Sequence, residues 1–251
     1  MGLLSVAPVL SAQSIPMRLR VVLALFLAAA LYPVTVNYMP ELPEGLMLFA
    51  MLAMAQGAVG VVIGFMIQAV FAAFQVAGEM LSIQIGISFS EVLDPQAQVS
   101  IPILGTLKNT IGLLIFVAVE FPMDGFWGTA MLHCFRALAI SFQFIPALIP
   151  SPEIAGGLLA TIDQAFAVMF LTALKIGIPM MGILFITSLT LGILGRAAPQ
   201  MNLMVMGIQI NIMVGLVVFM VIAPVIVPIM IDSFYRAFDA LGQMYKAWPQ
   251  Q

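Results

Sequence analysis

Two stretches of this chain carry no charged residue: residues 45–78, a run of 34, and residues 197–231, a run of 35. Residues 21–40 and 176–195 add two further runs of 20 each. A helix crossing a hydrocarbon core of about 30 Å needs about 20 apolar residues. At 1.5 Å per residue the two longer runs would reach roughly 50 Å as straight helices. They must therefore bend, break, or continue into a protein-lined space beyond the lipid. Composition agrees: 63% of residues are hydrophobic and 8% charged, against about 45–50% and about 25% in soluble chains. So few charges cannot cover a soluble surface, which excludes a soluble enzyme and a disordered tail. Eight basic residues against 11 acidic ones leave no polycationic face for nucleic acid. The length of 251 residues allows one or two domains. Cys134 is the single cysteine, so there is no intramolecular disulfide and no His/Cys cluster for zinc.

The chain is read as an all-α membrane protein of long, broken helices. Arg18 and Arg20 precede the apolar run 21–31. This is also the pattern of a signal peptide, but no soluble domain follows, which favours a first membrane helix. Pro33, Pro40 and Pro43 are expected to end it, with Glu41 and Glu44 in a polar turn. The next helix runs from Gly45 to about Ser90, and Pro95 breaks it by disfavouring helix at Asp94. A third helix starts near Pro102, a tolerated first-turn position, and runs to Phe121, followed by a turn at residues 122–125. A fourth covers 126–144. Pro146, Pro150 and Pro152 form a linker, with Ser151 as a cap. A long helix over 153–195 carries Pro179, an expected kink. Residues 196–202 make the tip of a hairpin, and the last helix, 201–246, is expected to be interrupted at Pro224 and Pro228. The domains are then 1–150 and a helical hairpin, 151–251. Each places a Pro-Gln pair at a break, Pro95-Gln96 and Pro199-Gln200.

The polarity inside these helices is unusual for lipid-facing segments. Gln56, Gly60, Gly64, Gln68, Ala72, Gln75, Glu79, Ser82, Gly86 and Ser90 follow at steps of three or four, a polar and small stripe on one face. Two readings are open: tight helix packing, since Gly60 and Gly64 form a GxxxG and glutamine can bridge helices, or a lumen faced by Gln75, Glu79 and Gln84. The steps average about 3.8 residues, which leans toward right-handed winding. Lys108, Asp163 and Lys175 also sit inside apolar helices, where contact with a partner or cavity is the default. Glu79, Glu120 and Asp163 are read as deep but lie too far apart in sequence to suggest a proton relay. Methionine is abundant, at 20 residues. Met47, Met51 and Met54 share a face, and Met201, Met204 and Met206 crowd the tip, either as plain packing or as a deformable seal. His133 is read as a packed or interfacial residue. No nucleophile–base pair, metal motif or phosphate loop is present, so no catalysis and no cofactor are expected.

Three segments carry a resemblance. Residues 7–20 read APVLSAQSIPMRLR, residues 78–89 read GEMLSIQIGISF and run on to Asp94-Pro95, and residues 198–207 read APQMNLMVMG. In order and spacing they resemble the "APVF…IPxRVR", "GExIGxQxGxxxA…DP" and "PQxNxFxxG" motifs of the FliR family of flagellar type III export-gate proteins. Members of that family carry a further apolar helix before the first motif, and Met1 lies just upstream of it here. After Gly207 the family reads FPIKI, where this chain has Ile208-Gln209-Ile210-Asn211-Ile212 without the lysine.

The resemblance implies a gate-forming subunit of the flagellar export channel in the bacterial inner membrane, partly raised toward the periplasm. It implies assembly in a right-handed helical complex with five FliP and four FliQ chains, beside FlhB. Unfolded export substrates and membrane lipid are the other partners, and nucleic acid is not one. Residues 1–150 would be FliP-like and 151–251 FliQ-like. A plug near residues 88–100 would include Phe89, Ser90, Glu91, Val92, Leu93, Asp94, Pro95 and Gln96. Arg196, Pro199, Gln200 and Asn202 would form the hairpin tip toward the cytoplasm. A plain connecting loop at 88–100 is the plainer reading of the residues alone. An injectisome subunit and a stand-alone transporter are the alternative functions.

Overall fold

The structure is a computed structural model that describes residues 1–8, 16–38, 45–85, 103–123, 125–144, 152–197 and 203–247. The elements in chain order are α1 (Gly2–Val6), α2 (Met17–Thr35, followed by a 3-10 turn, Val36–Tyr38), α3 (Leu46–Ile85), α4 (Ile103–Ala118), β1 (Glu120–Met123), β2 (Phe126–Thr129), α5 (Ala130–Phe144), α6 (Pro152–Ala197) and α7 (Leu203–Ala247). Helices α3, α6 and α7 have 40, 46 and 45 residues. At 1.5 Å per residue each is about 60–70 Å long, twice the hydrocarbon core. Four helices among the described residues are long and apolar enough to cross a membrane, and in α2 only 6% of the apolar window is buried within the chain.

Three expectations about breaks are corrected. Pro33 lies inside α2. The helix continues past it to Thr35, whose hydroxyl donates to the Leu31 carbonyl at 3.1 Å. Pro224 and Pro228 lie inside a continuous α7. They stand four residues apart, so both lost backbone bonds fall on one face and the rest of the ladder persists. Helix α4 stops at Ala118 instead of Phe121, and the first four residues expected in the fourth helix are a strand. Strands β1 and β2 pair antiparallel with Pro122 opposite Trp127 and Met123 opposite Phe126. The two-residue link is Asp124-Gly125, with Gly125 at φ +75°, the backbone region that a tight hairpin demands and glycine adopts freely. Alternation in the hairpin puts Phe121 inside and leaves Trp127 67% exposed.

The chain packs as two compact units. Unit 1 is Met1–Phe71, Leu113–Val168 and Phe234–Gln251, and unit 2 is Ala72–Gly112 and Met169–Ser233. Unit 1 is built on aromatic rings. Phe234 lies 5.7 Å from Phe71 and from Phe116, and 6.2 Å from Phe121, ring centre to ring centre. Phe121 also meets Tyr235 edge-on at 5.0 Å, a favoured arrangement of ring quadrupoles. His133 joins this cluster, 5.5 Å from Phe238, and its Nδ1 stands 3.0 Å from the Thr129 carbonyl. Tyr245 donates to the Ala137 carbonyl at 2.9 Å and stacks on Phe144. In the same unit, α1 lies against α3. A Cβ on Gly60 would stand 3.0 Å from the Leu3 amide nitrogen, and one on Gly64 would stand 3.2 Å from the Leu3 carbonyl.

Candidate functional site

A helix in an apolar surround must satisfy its polar side chains locally or through a neighbour. The hydroxyls take the local route. Ser82 bonds the Gly78 carbonyl at 3.0 Å, Thr161 bonds Gly157 at 2.9 Å, and Thr187, Ser188 and Thr190 bond carbonyls four residues back at 2.9–3.0 Å. That leaves amides and charges as the groups that can mark a site.

The polar stripe of α3 does not keep one environment. Gly60 and Gly64 are buried, Gln56 and Gln68 are half-buried, and Gln75 and Glu79 are exposed, with Gln84 half-buried beyond them. The cause is helical drift. At about 100° per residue, the 19 residues from Gly60 to Glu79 turn the stripe by about 100° around the axis. The glycines thus meet α1, while Gln75 and Glu79 stand on an outer face. There the Gln75 Nε2 donates to the Glu79 Oε1 at 3.0 Å, so the carboxylate is held by an amide of its own helix. Glu79, Glu120 and Asp163, expected to be deep, are all exposed on this chain. Each sits next to apolar residues that are also exposed. Met47, Met51 and Met54 lie on an exposed face as well.

The two lysines inside apolar helices differ. Lys175 stands 3.9 Å from Asp232, each side chain 48% exposed, which links α6 to α7. Asp232 was not singled out from the sequence. The only available signal was an acid directly after the charge-free run 197–231. Lys108 is fully buried, and its Nζ lies 3.8 Å from the Met180 thioether. Between α6 and α7, Asn211 donates from Nδ2 toward the Ser188 hydroxyl at 3.5 Å, while its Oδ1 is buried without a hydrogen-bond partner.

Gly86, the plug residues Phe89, Ser90, Glu91, Val92, Leu93, Asp94, Pro95 and Gln96, and the tip residues Pro199, Gln200 and Asn202 lie outside the described residues. Of the tip, Arg196 is described, in the last turn of α6. Among the described residues no group of three His, Cys, Asp or Glu could hold a metal ion. A cavity of about 300 Å³ in unit 1, among α1, α2, α3 and α5, is lined by residues such as Leu4, Leu27, Leu31, Gln56 and Phe142. One amide and one hydroxyl, that of Thr35, face an otherwise apolar lining, which offers no acid–base pair.

The features that recur across the chain are outward-facing apolar helices, an amide-held carboxylate and glycine contacts between helices. They describe surfaces on which helices meet neighbours. The model of the family described as bacterial export proteins, family 1, matches residues 1–237. The flagellar biosynthetic protein FliR of Escherichia coli (strain K12) is 29% identical over 214 residues, covering 84% of this chain and 76% of that protein. FliR of Bacillus subtilis (strain 168) is 30% identical over 211 residues, covering 82% and 75%. FliR of Pectobacterium carotovorum subsp. carotovorum is 28% identical over 214 residues, covering 84% and 76%. With the match running through nearly all its helices, the chain belongs to family 1 of the bacterial export proteins, the family of the FliR proteins.

Proposed function

We propose that this chain is a structural, gate-forming subunit of the flagellar type III protein export channel in the bacterial inner membrane. It has no catalytic role: it helps to build and close the pore through which unfolded flagellar subunits pass. The observation that carries this reading is the family match over residues 1–237, together with relatives that are named flagellar. Helices of 40 to 46 residues support it, because each exceeds what a bilayer can cover and needs protein neighbours along the remainder. The exposed Gln75–Glu79 pair supports it too, since such groups in an apolar helix face protein or water.

In this reading, residues 1–150 pack as FliP does and residues 151–251 as FliQ does. One copy joins five FliP and four FliQ chains in a right-handed assembly raised in part toward the periplasm. Residues 89–96 act as the plug, and the tip at Arg196 faces FlhB on the cytoplasmic side. Co-expression with the two partner subunits, followed by native mass measurement in mild detergent, tests the assembly. The expected mass is that of one copy with five FliP and four FliQ, and a long-lived monomer would overturn the reading. Deleting residues 91–98 tests the plug. The complex should assemble and leak ions, whereas assembly with wild-type conductance would make the segment a plain connector.

A further inference from the structure

Lys108 is the one fully buried charged side chain among the described residues. It projects from α4 inside unit 2, and its surroundings do not suit an ammonium. Such a group has three donors and no acceptor. The Met180 sulfur, a weak acceptor, is 3.8 Å away. The Phe219 ring centre is 6.0 Å away, at the outer limit of a cation–π contact. Of the described acids of this unit, Asp232 pairs with Lys175 and Glu79 accepts from Gln75. The same spot is closed by glycine contacts. Gly112, one turn beyond Lys108 on the same face of α4, lies so near α3 that a Cβ would stand 2.5 Å from Phe74 Cδ2. Gly215, one turn before Phe219 on α7, lies so near α3 that a Cβ would stand 2.5 Å from Ile85 Cδ1. The helices that carry and face Lys108 are therefore held close by glycine contacts.

We propose that Lys108 is an opening bias built into the resting gate. Burying a charged group without a full partner is unfavourable, and replacing it by an apolar group of similar shape stabilises the packed state. Any motion that separates α4 from α3 and α7 lets the ammonium reach water or an acidic group. Lys108 thus favours the loosened arrangement and keeps the closed one from becoming too stable to yield to a substrate. This rests on the gate reading above, and Lys108 acts through packing without touching the substrate.

The test uses the whole assembled complex with Lys108→Met, which keeps length and removes charge. The thermal midpoint should rise by about 4 °C or more, and ion conductance should fall about tenfold as the open fraction falls. In a Cys134→Ala background, Lys108→Cys should resist a water-soluble maleimide at rest and label when an export substrate occupies the channel. A midpoint that falls or stays put would show that Lys108 is satisfied in the resting fold and overturn the proposal. A raised midpoint with unchanged conductance and no substrate-dependent labelling would make the burial static and overturn it as well. If the wild-type complex admits neither ions nor substrate, the gate reading fails and the bias with it, while the midpoint still reports on the burial alone.

Discussion

Unit 1 and unit 2 draw on the same apolar composition and hold together differently. Unit 1 is centred on interlocked rings, with Phe234 against Phe71, Phe116 and Phe121, and its buried Tyr245 hydroxyl has a carbonyl partner. Unit 2 has the buried Lys108, the Lys175–Asp232 pair and the long Asn211–Ser188 contact. A ring cluster is insensitive to charge and gains from every contact it keeps. Polar groups in apolar packing are conditional: they stabilise only while their partners stay in place. One chain thus combines a part held by rings with a part held by conditional polar contacts.

The largest effect that could break this contrast is at Phe234. Phe234→Ala should cost about 3–5 kcal/mol, read as a large drop in the thermal midpoint of the purified complex. A small drop would mean that the rings are not what holds unit 1. Gly64→Leu should cost about 1–3 kcal/mol by forcing α1 off α3, seen as lower yield of assembled complex after co-expression. Normal yield would show that α1 contributes little to unit 1. Tyr245→Phe removes one buried hydrogen bond and should cost about 1 kcal/mol, measurable as a shift in the denaturant midpoint. In unit 2, a double-mutant cycle on Lys175→Met and Asp232→Asn should give a coupling of about 0.5–1 kcal/mol, because both ends are half-exposed and Asp232 has a further contact. A coupling above that range would make unit 2 as firmly locked as unit 1. Thr187→Val should change stability by less than about 0.5 kcal/mol, since its hydroxyl serves only its own helix. A larger loss, in the same melting experiment, would reveal a neighbour on that face.

Much of this architecture was legible in the chain because charge-free runs of 34 and 35 residues leave few alternatives to long apolar helices. The hairpin was not. Glu120-Phe-Pro-Met123 and Phe126-Trp-Gly-Thr129 are short apolar stretches, which periodicity cannot assign to helix or strand. Asp124-Gly125 between them is the cue, and it marks a turn equally well between helices or between strands. Proline is a weak sign of a helix end, because a missing donor does not stop a helix whose remaining ladder is intact, as in α7. The stripe on α3 was legible as spacing, but its drift from α1 to an outer face follows only from turning the helix residue by residue. Pairings across distance, such as Lys175 with Asp232, leave no mark in a single sequence. Nor does the sealing of Lys108 behind Gly112 and Gly215, which depends on which helices pack together.

The self-bonded hydroxyls of α6 have a consequence for the surroundings that helix tolerates. Ser188 turns inward to a carbonyl four residues back and also accepts from Asn211 of α7, whereas Thr187 and Thr190 bond only their own helix, on a face that asks nothing of its surroundings. Lipid tails, a neighbouring helix or water can each lie against it without breaking a hydrogen bond. The helix can therefore exchange one such neighbour for another along this face at little enthalpic cost. Only the amides and charges discriminate among neighbours, so the choice of neighbour is decided at a few positions, not along the whole length of the helices.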